Sequence, residues 1–411
     1  MRDAVRDWAA SGAMALTGRA AGPPLASPGD PAGLLIGWLG DLARSTHRRT
    51  GARPDLPGAE LLGERAAIAG FRRNAPLSCG GAFRCVPTSD GWLGLSLPRD
   101  TDISLVPALV EEPLEPGAAA AWEAAARWAL ATPTAEAAHR VQLLGLPGGP
   151  VAAVAAPGPA PSPPSSTRGS RRSHVRERPL VVDLTSLWAG PLCAHLLGLA
   201  GADVVKVESR DRPDGARSGP QDFYDLLHHG HRAIAVDLRD AADLDRLRSL
   251  VAQADLVLEA SRPRAMRQLG LVAEDVVDAG TSWLSITARG RDSDAVGFGD
   301  DVAAIGGLVA TERGAPVPCG DALADPLTGV RAAALAGDLL LLEEARLVDV
   351  SMLDVVRQAA AAPGPAPHAV ELRDDRWWVV TEHGAFPVRD PAARTPAGRA
   401  AAVGADDGWH P

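Results

Sequence analysis

The second half of the sequence predicts an α/β fold built on a parallel sheet, and two observations carry that prediction. Short apolar runs recur along residues 180–360, and helical stretches lie between them. Strands spaced by helices pair in parallel through right-handed crossovers. In order, LVVDLT (180–185) is the first strand, followed by a Gly-Pro turn and a helix over about 191–200. ADVVKVE (202–208), RAIAVDL (232–238), DLVLEA (255–260) and SWLSITA (282–288) are the next four strands. The helix containing DLDRLRSLVAQA (243–254) separates two of them.

The remainder divides by composition. From Gly148 to Pro179 the chain is rich in Pro, Ala, Ser and Arg with no hydrophobic period. Such a segment buries too little apolar surface to offset its ordering entropy and is expected to be an extended tether. The expected divisions are therefore an N-terminal part (1–147), this linker (148–179), the α/β part (180–362) and a C-terminal hairpin and tail (363–411). In that tail DDRWWVV, a turn at Glu382-His383-Gly384 and AFPV read as a hairpin. A faint repeat relates 11–42 to 306–339: both carry a Gly/Pro-rich loop, an Asp-Pro step and a helix ending in Gly-Asp-Leu. Biased composition mimics such repeats readily, so duplication and chance both stand.

Composition bounds the function. The 411 residues carry 41 basic and 51 acidic side chains, a formal charge of −10. That balance argues against bulk binding to nucleic acid or anionic membranes. Aromatic residues make up 4% of the chain, too few for a base-stacking platform. No stretch approaches the roughly 18 apolar residues of a membrane span, and Asp3 and Arg6 interrupt any signal-peptide pattern. Cys79, Cys85, Cys193 and Cys319 form no CxxC pair, and no His cluster accompanies them at zinc spacing. The expectation is a soluble cytoplasmic protein with reduced thiols.

Four places offer chemistry. The first turn, Ser186-Leu187-Trp188-Ala189-Gly190-Pro191, precedes a helix whose N-terminus could receive a phosphate, although it lacks the GxGxxG pattern. Glu208, ending the second strand, occupies the place of a ribose-binding acid in dinucleotide folds. Asp325, followed by Pro326 at the head of a long apolar helix, fits an N-cap first, with a carboxylate nucleophile as the functional alternative. Asp300-Asp301 fit a cap or a coupled acid–base pair. His228, His229 and His231 lack carboxylates at ligand spacing, and no metal is expected. Arg210, Arg212, Arg217, Arg232, Arg262, Arg264 and Arg267 follow or precede strand ends, where open sheets bind ligands, and suit a polyphosphate.

The motifs in 180–360 resemble those of the family III CoA-transferases, which include formyl-CoA transferase, carnitine CoA-transferase and α-methylacyl-CoA racemase. VVDLTSLWAGPLCAHLLGLAGADVVKVESRDRPD resembles the family's opening, and HHGHRAIAVDLRD, ADLVLEASRPRAMRQLGL and ADPLTGVRAAALAGDLLLLEEARLVDVSMLDV follow in the family's order. The resemblance implies a Rossmann-like, CoA-binding parallel-sheet domain with a smaller α+β domain, commonly in a homodimer. It puts the catalytic aspartate on Asp325, with Gly329 four positions on, and the supporting acid on Asp301 or Asp300. It implies CoA contacts from Ser186, Trp188, Ala189, Gly190, Lys206, Arg210, Arg232, Arg262 and Gln268. Acyl-CoA and a carboxylic acid are the implied substrates, with no permanently bound cofactor. The implied reaction runs through an aspartyl mixed anhydride and an aspartyl-CoA thioester.

Departures from the family pattern are specific. Ala260 and Ser261 replace an Asn and an aromatic, and Trp188 stands where a smaller or polar residue is usual. Asp300-Asp301 replace the His-Asp pair of the racemases, which favours transfer over racemisation. A racemase or isomerase of the same fold and a non-catalytic CoA-binding protein remain as alternatives. The order is also unusual, because residues 80–112 resemble the family's small domain yet precede the CoA-binding half. Residues 11–42 resemble the catalytic region, with Asp30 as a degenerate counterpart of Asp325.

Overall fold

The computed structural model describes residues 3–152, 164–172, 176–261 and 263–411. Its centre is a seven-stranded sheet. Leu180–Asp183 lies in the middle, with Asp203–Ser209 and Arg232–Val236 added in sequence to one side. The chain then reverses, and Leu256–Glu259, Ser282–Thr287 and Glu344–Ser351 extend the other side. These six strands are parallel. The reversal creates a switch point between Leu180–Asp183 and Leu256–Glu259, where doubly wound sheets open a crevice at their carboxyl ends. All five strands expected from apolar runs are present within two residues of their expected limits. Val181, Val182, Val205, Val257 and Leu258 are buried on both faces, as an interior parallel strand requires.

The seventh strand corrects the expectation for 148–179. Ser165–Arg171 pairs antiparallel with Glu344–Ser351, so part of the expected tether is an edge strand. Nearly every side chain in it is exposed. It is held by backbone bonds and by Arg168 on Glu344 at 3.0 Å, neither of which an apolar-pattern reading detects. Gly148–Pro150 is also a strand, in a small sheet with Phe83–Pro87 and Trp92–Ser96. Residues 153–163 and 173–175 of that stretch lie outside the described residues.

The small sheet packs with the helices Asp100–Val110, Ala118–Ala131 and Thr134–Leu143 around a separate core that includes Val86, Leu93, Leu95, Val106 and Trp122. Residues 3–62 do not share it. Val5, Trp8, Leu35, Trp38 and Leu42 join Leu192, Leu196, Leu327 and Ala333 in the core beneath the large sheet. Helix Pro31–Thr50 lies against helix Ala324–Leu339, so the two repeat-like segments are neighbours. Asp30 caps the former by accepting from Gly33 N at 2.9 Å, with Pro31 at its first position and Gly51 in the left-handed region at its end.

The tail contains the expected hairpin, Arg376–Thr381 with Gly384–Pro387, extended by a third strand, Ala369–Arg373. It then runs back along the molecule to the open edge strand Arg232–Val236. There the carboxylates of Asp406 and Asp407 accept from Ala233 N and Ala235 N, each at 2.8 Å. An unpaired strand edge is thereby covered.

Candidate active site

Asp325 occupies the second position of helix Ala324–Leu339, which begins before the Pro326 start that an Asp325 cap would require. Leu323 is the capping residue and offers no side-chain bond. Pro326 is tolerated because first-turn N–H groups have no intrahelical acceptor. The Asp325 carboxylate is therefore not consumed in capping, unlike that of Asp30. It turns toward Gly299, whose N–H it accepts. A Cβ on Gly299 would stand 2.4 Å from Asp325 Oδ2 and 2.3 Å from Ala322 O, so only glycine permits this approach.

Two further carboxylates complete an acidic cluster. Asp300 accepts from Ala322 N at 3.0 Å and from the Ser78 hydroxyl. Asp321 is fully buried and receives Arg65 through Nε at 2.9 Å and Nη2 at 2.5 Å. The Cys79 thiol donates to the same carboxylate at 3.4 Å. Arg65 stacks over the Trp188 ring at 4.6 Å, and Trp188 meets Phe223 edge-on at 5.5 Å. Through Arg65 and Trp188 the cluster sits beside the turn that follows the central strand, at the carboxyl end of the sheet.

Burial dominates the electrostatics. It pushes Asp325 up to about 7; Asp300 and Asp321 add to the rise, while Arg65 and the Gly299 N–H oppose it. Asp300 rises to about 6 by burial and the Asp321 charge, against Arg65. Burial works against the charge of Arg65, but Asp321, Asp300 and Asp325 outweigh it and raise its pKa. Asp325 and Asp300 keep some contact with solvent, whereas Asp321 and Asp301 keep none. A carboxylate near neutrality, still reachable, beside a permanent cation is equipped for nucleophilic or proton-transfer chemistry.

Asp301 faces elsewhere. Its Oδ1 accepts from Ser96 Oγ at 2.9 Å and Phe298 N at 3.0 Å, tying helix Gly299–Ile305 to the small sheet. Its Oδ2 is buried without a partner among the described residues, and burial raises its pKa to about 7. The adjacent aspartates thus divide: Asp300 turns to the cluster and Asp301 to the small domain.

The other sequence-predicted positions separate into exposed and buried sets. Ser186 and Gln268 are exposed, and Arg210 is an exposed side chain bonded to Asp407 at 3.0 Å. Arg232 lies over the Trp409 ring at 4.6 Å. Arg262 lies outside the described residues. Trp188, Ala189 and Gly190 are buried; a Cβ on Gly190 would stand 2.2 Å from the Thr185 side chain. Lys206 is buried as well. Its ammonium donates to Thr185 O and to Asp214 at 3.0 Å, with Asp183 at 3.6 Å, and presents no donor to the surface. Glu208, read as a ribose-binding acid, is instead closed by Arg217, at 2.9 and 2.6 Å, and by Asp214 N.

Sequence reasoning missed Arg65, Asp321, Cys79, Ser78 and Ser96. Asp321 carried a weak signal, standing one helical turn before Asp325 in GDALADP. Arg65, in the Ala-rich GERAAIAG, carried none.

Residues 179–370 match the model of CoA-transferase family III. Over 167 residues, 37% of this chain and 38% of the other, the sequence is 31% identical to succinyl-CoA:glutarate CoA-transferase of Homo sapiens. It is 25% identical over 252 residues to formyl-CoA:oxalate CoA-transferase of Escherichia coli, covering 56% of this chain and 59% of that protein. The crystal structure of a CAIB/BAIF family protein from Brucella suis aligns with a TM-score of 0.43 and 24% identity, over 50% of this chain and 63% of the other. The chain spans less than two thirds of the length of each of these proteins.

Proposed function

Residues 179–370 match CoA-transferase family III, and on that premise we propose that the chain belongs to it and moves CoA from an acyl-CoA donor to a carboxylate acceptor with Asp325 as the nucleophile. One observation carries the reading: the Asp325 carboxylate is not used in capping its helix and lies in the field of Arg65, on a residue that is only half-buried.

In the proposed sequence, an ionised Asp325 oxygen attacks the thioester carbonyl carbon. A C–O bond forms, the C–S bond breaks and CoA leaves as thiolate, giving a mixed anhydride. The thiolate attacks the aspartyl carbonyl and expels the donor carboxylate, leaving an aspartyl-CoA thioester. The acceptor carboxylate attacks that thioester, re-forming an anhydride and thiolate. Attack of the thiolate on the acceptor's acyl carbon releases the new acyl-CoA and frees Asp325. Splitting one exchange into these displacements is covalent catalysis. Arg65 keeps a fraction of Asp325 ionised, and the Gly299 N–H holds the carboxylate in place. Asp300, facing Asp325 where Asp301 does not, is the supporting acid in this reading.

CoA contacts are assigned to Ser186, the backbone of Ala189 and Gly190, Arg210, Arg232, Arg262 and Gln268. Lys206 and Trp188 act indirectly, the first by holding Thr185 O and the second by backing Arg65. No permanently bound cofactor enters the scheme, and a homodimer in the cytoplasm is part of the same reading.

The experiment is mass spectrometry of the full chain after incubation with a panel of acyl-CoAs and a hydroxylamine quench. A hydroxamate or CoA adduct on Asp325, absent in Asp325→Asn, is the expected result. Saturable CoA binding without an adduct overturns the transferase reading. Exchange of the donor's α-proton with solvent deuterium then separates an isomerase from a non-catalytic binder.

A further inference from the structure

A cavity of about 310 Å³ opens at the end of the sheet opposite the acidic cluster. Its walls come from the last turn of helix Ala189–Leu199, the start of strand Asp203–Ser209, the residues before strand Arg232–Val236 and the tail around Arg394. Those are the amino ends of two parallel strands. The candidate active site lies at their carboxyl ends, so the two sites do not overlap. At this volume the cavity stands at the low end of small-molecule sites and is far too small for CoA.

Its lining is basic and partly unsatisfied. Arg178, His195, His229, His231 and Arg394 face it, with Asp203 the acid among its walls, and Asp203 is already paired with Arg178 at 2.7 Å. Arg394 gives Nε and Nη2 to Glu64, both at 2.8 Å, and its Nη1 meets His195 Nε2 at 2.9 Å. A guanidinium has five N–H donors, so two remain. The acceptor role of His195 Nε2 puts that ring's proton on Nδ1. His231 is more than nine-tenths buried, and its Nδ1 has no partner among the described residues. His231 also lines the cavity, and its ring can offer one N–H there.

The electrostatics point the same way. Burial, then Arg394, lowers His195 to about 3, and burial, then Lys206, lowers His231 to about 3. Burial, with the neighbouring cations second to it, holds both rings neutral, and Glu64 and Asp203 already pair Arg394 and Arg178. An oxyanion in the cavity would accept from the remaining N–H groups of Arg394 and from His231. Arginine with imidazole is a donor set suited to carboxylate and phosphate oxygens.

We propose that this cavity is a second ligand site, taking a small molecule that carries a carboxylate or phosphate group, with Arg394 and His231 as its principal donors. The proposal is independent of the transferase reading. The test is a titration of the full-length chain, labelled with ¹⁵N at histidine, with inorganic phosphate and separately with acetate, using sodium chloride at matched ionic strength as the control. Saturable shifts of the His195 and His231 ring signals are expected, with an upward move of their titration, and chloride giving neither. Saturation by phosphate alone assigns a phosphate group, and by acetate alone a carboxylate. Arg394→Gln is expected to weaken binding about tenfold or more. Because that variant also strips Glu64 of its partner, His231→Phe is measured beside it, with the same loss expected. Shifts that track chloride, no saturation at millimolar anion, or unchanged affinity in folded samples of both variants would overturn the proposal.

Discussion

Arg65 closes on both carboxylate oxygens of Asp321, 256 residues further along the chain, at 2.9 and 2.5 Å. The N-terminal third thereby supplies the cation to an acidic cluster built by the α/β part. Asp321 is fully buried, and breaking such a pair by removing one partner costs about 3–5 kcal/mol. The Arg65 side chain keeps 30% of its exposure, which lets water soften the loss. Arg65→Met is therefore expected to lower stability by about 2–4 kcal/mol in urea denaturation. Adding Asp321→Leu should recover part of the loss, because no unpaired charge remains. A double variant as unstable as the sum of the single ones would show that the pair does not couple.

The pH dependence of stability follows from the raised acids. Asp301 has its carboxyl pushed up from 3.8 to about 7. Between those values the folded chain binds more protons than the unfolded one, so stability falls as pH rises from about 4 to 7 and levels off above. The proton that the folded chain retains there is worth at most about 4 kcal/mol. Asp301→Asn keeps an acceptor for Ser96 and Phe298 N but cannot ionise. Its stability is expected to decline less over this interval than that of the parent. Parallel pH profiles for the two proteins would contradict the assignment.

What the sequence made legible was local. Val181, Val182, Val257 and Leu258 sit in short apolar runs because they are covered on both faces, and periodicity alone finds such strands. Asp325 was visible because an Asp-Pro step heads an apolar helix, yet cap and nucleophile could not be separated. That distinction depends on whether the helix begins at Ala324 or at Pro326, about half a turn apart. Arg65 was invisible, since a single arginine in a run of alanines looks like a surface charge until folding sets Trp188 and Asp321 against it. Ser165–Arg171 escaped for a different reason: an edge strand bonded through its backbone needs no apolar side chains. Lys206 is the one lysine in the sequence, but its partner Asp214 lies in a loop without regular spacing.

Lys206 separates a structural role from a ligand contact. Its ammonium is surrounded by Thr185 O, Asp214 and Asp183, and its side chain is 2% exposed. Burial disfavours its charge, but Asp183 and Asp214 outweigh burial and raise its pKa. Lys206→Met is expected to destabilise the chain by about 3–5 kcal/mol, because two buried carboxylates lose their cation. Thermal unfolding checks this. A variant that keeps its melting temperature and only binds CoA more weakly would return Lys206 to the ligand surface.

Gly299→Ala tests the geometry around Asp325, the proposed nucleophile. The added methyl would stand 2.3 Å from Ala322 O and 2.4 Å from Asp325 Oδ2, and one of these contacts is backbone. Either helix Gly299–Ile305 shifts or the Asp325 carboxylate is driven from its place against the Gly299 N–H. A displacement of about 1 Å at a reacting group costs on the order of 100-fold in rate, whereas overpacking costs only about 1–3 kcal/mol of stability. The acylation rate, read by hydroxylamine trapping, should therefore collapse in a protein that still folds. In the parent that rate should climb tenfold per pH unit below about 7 and flatten above, as Asp325 ionises. Arg65→Gln removes the cation that favours the ionised form, so its midpoint should move to higher pH. A midpoint that stays near 7 in Arg65→Gln would show that Arg65 does not set the charge of Asp325.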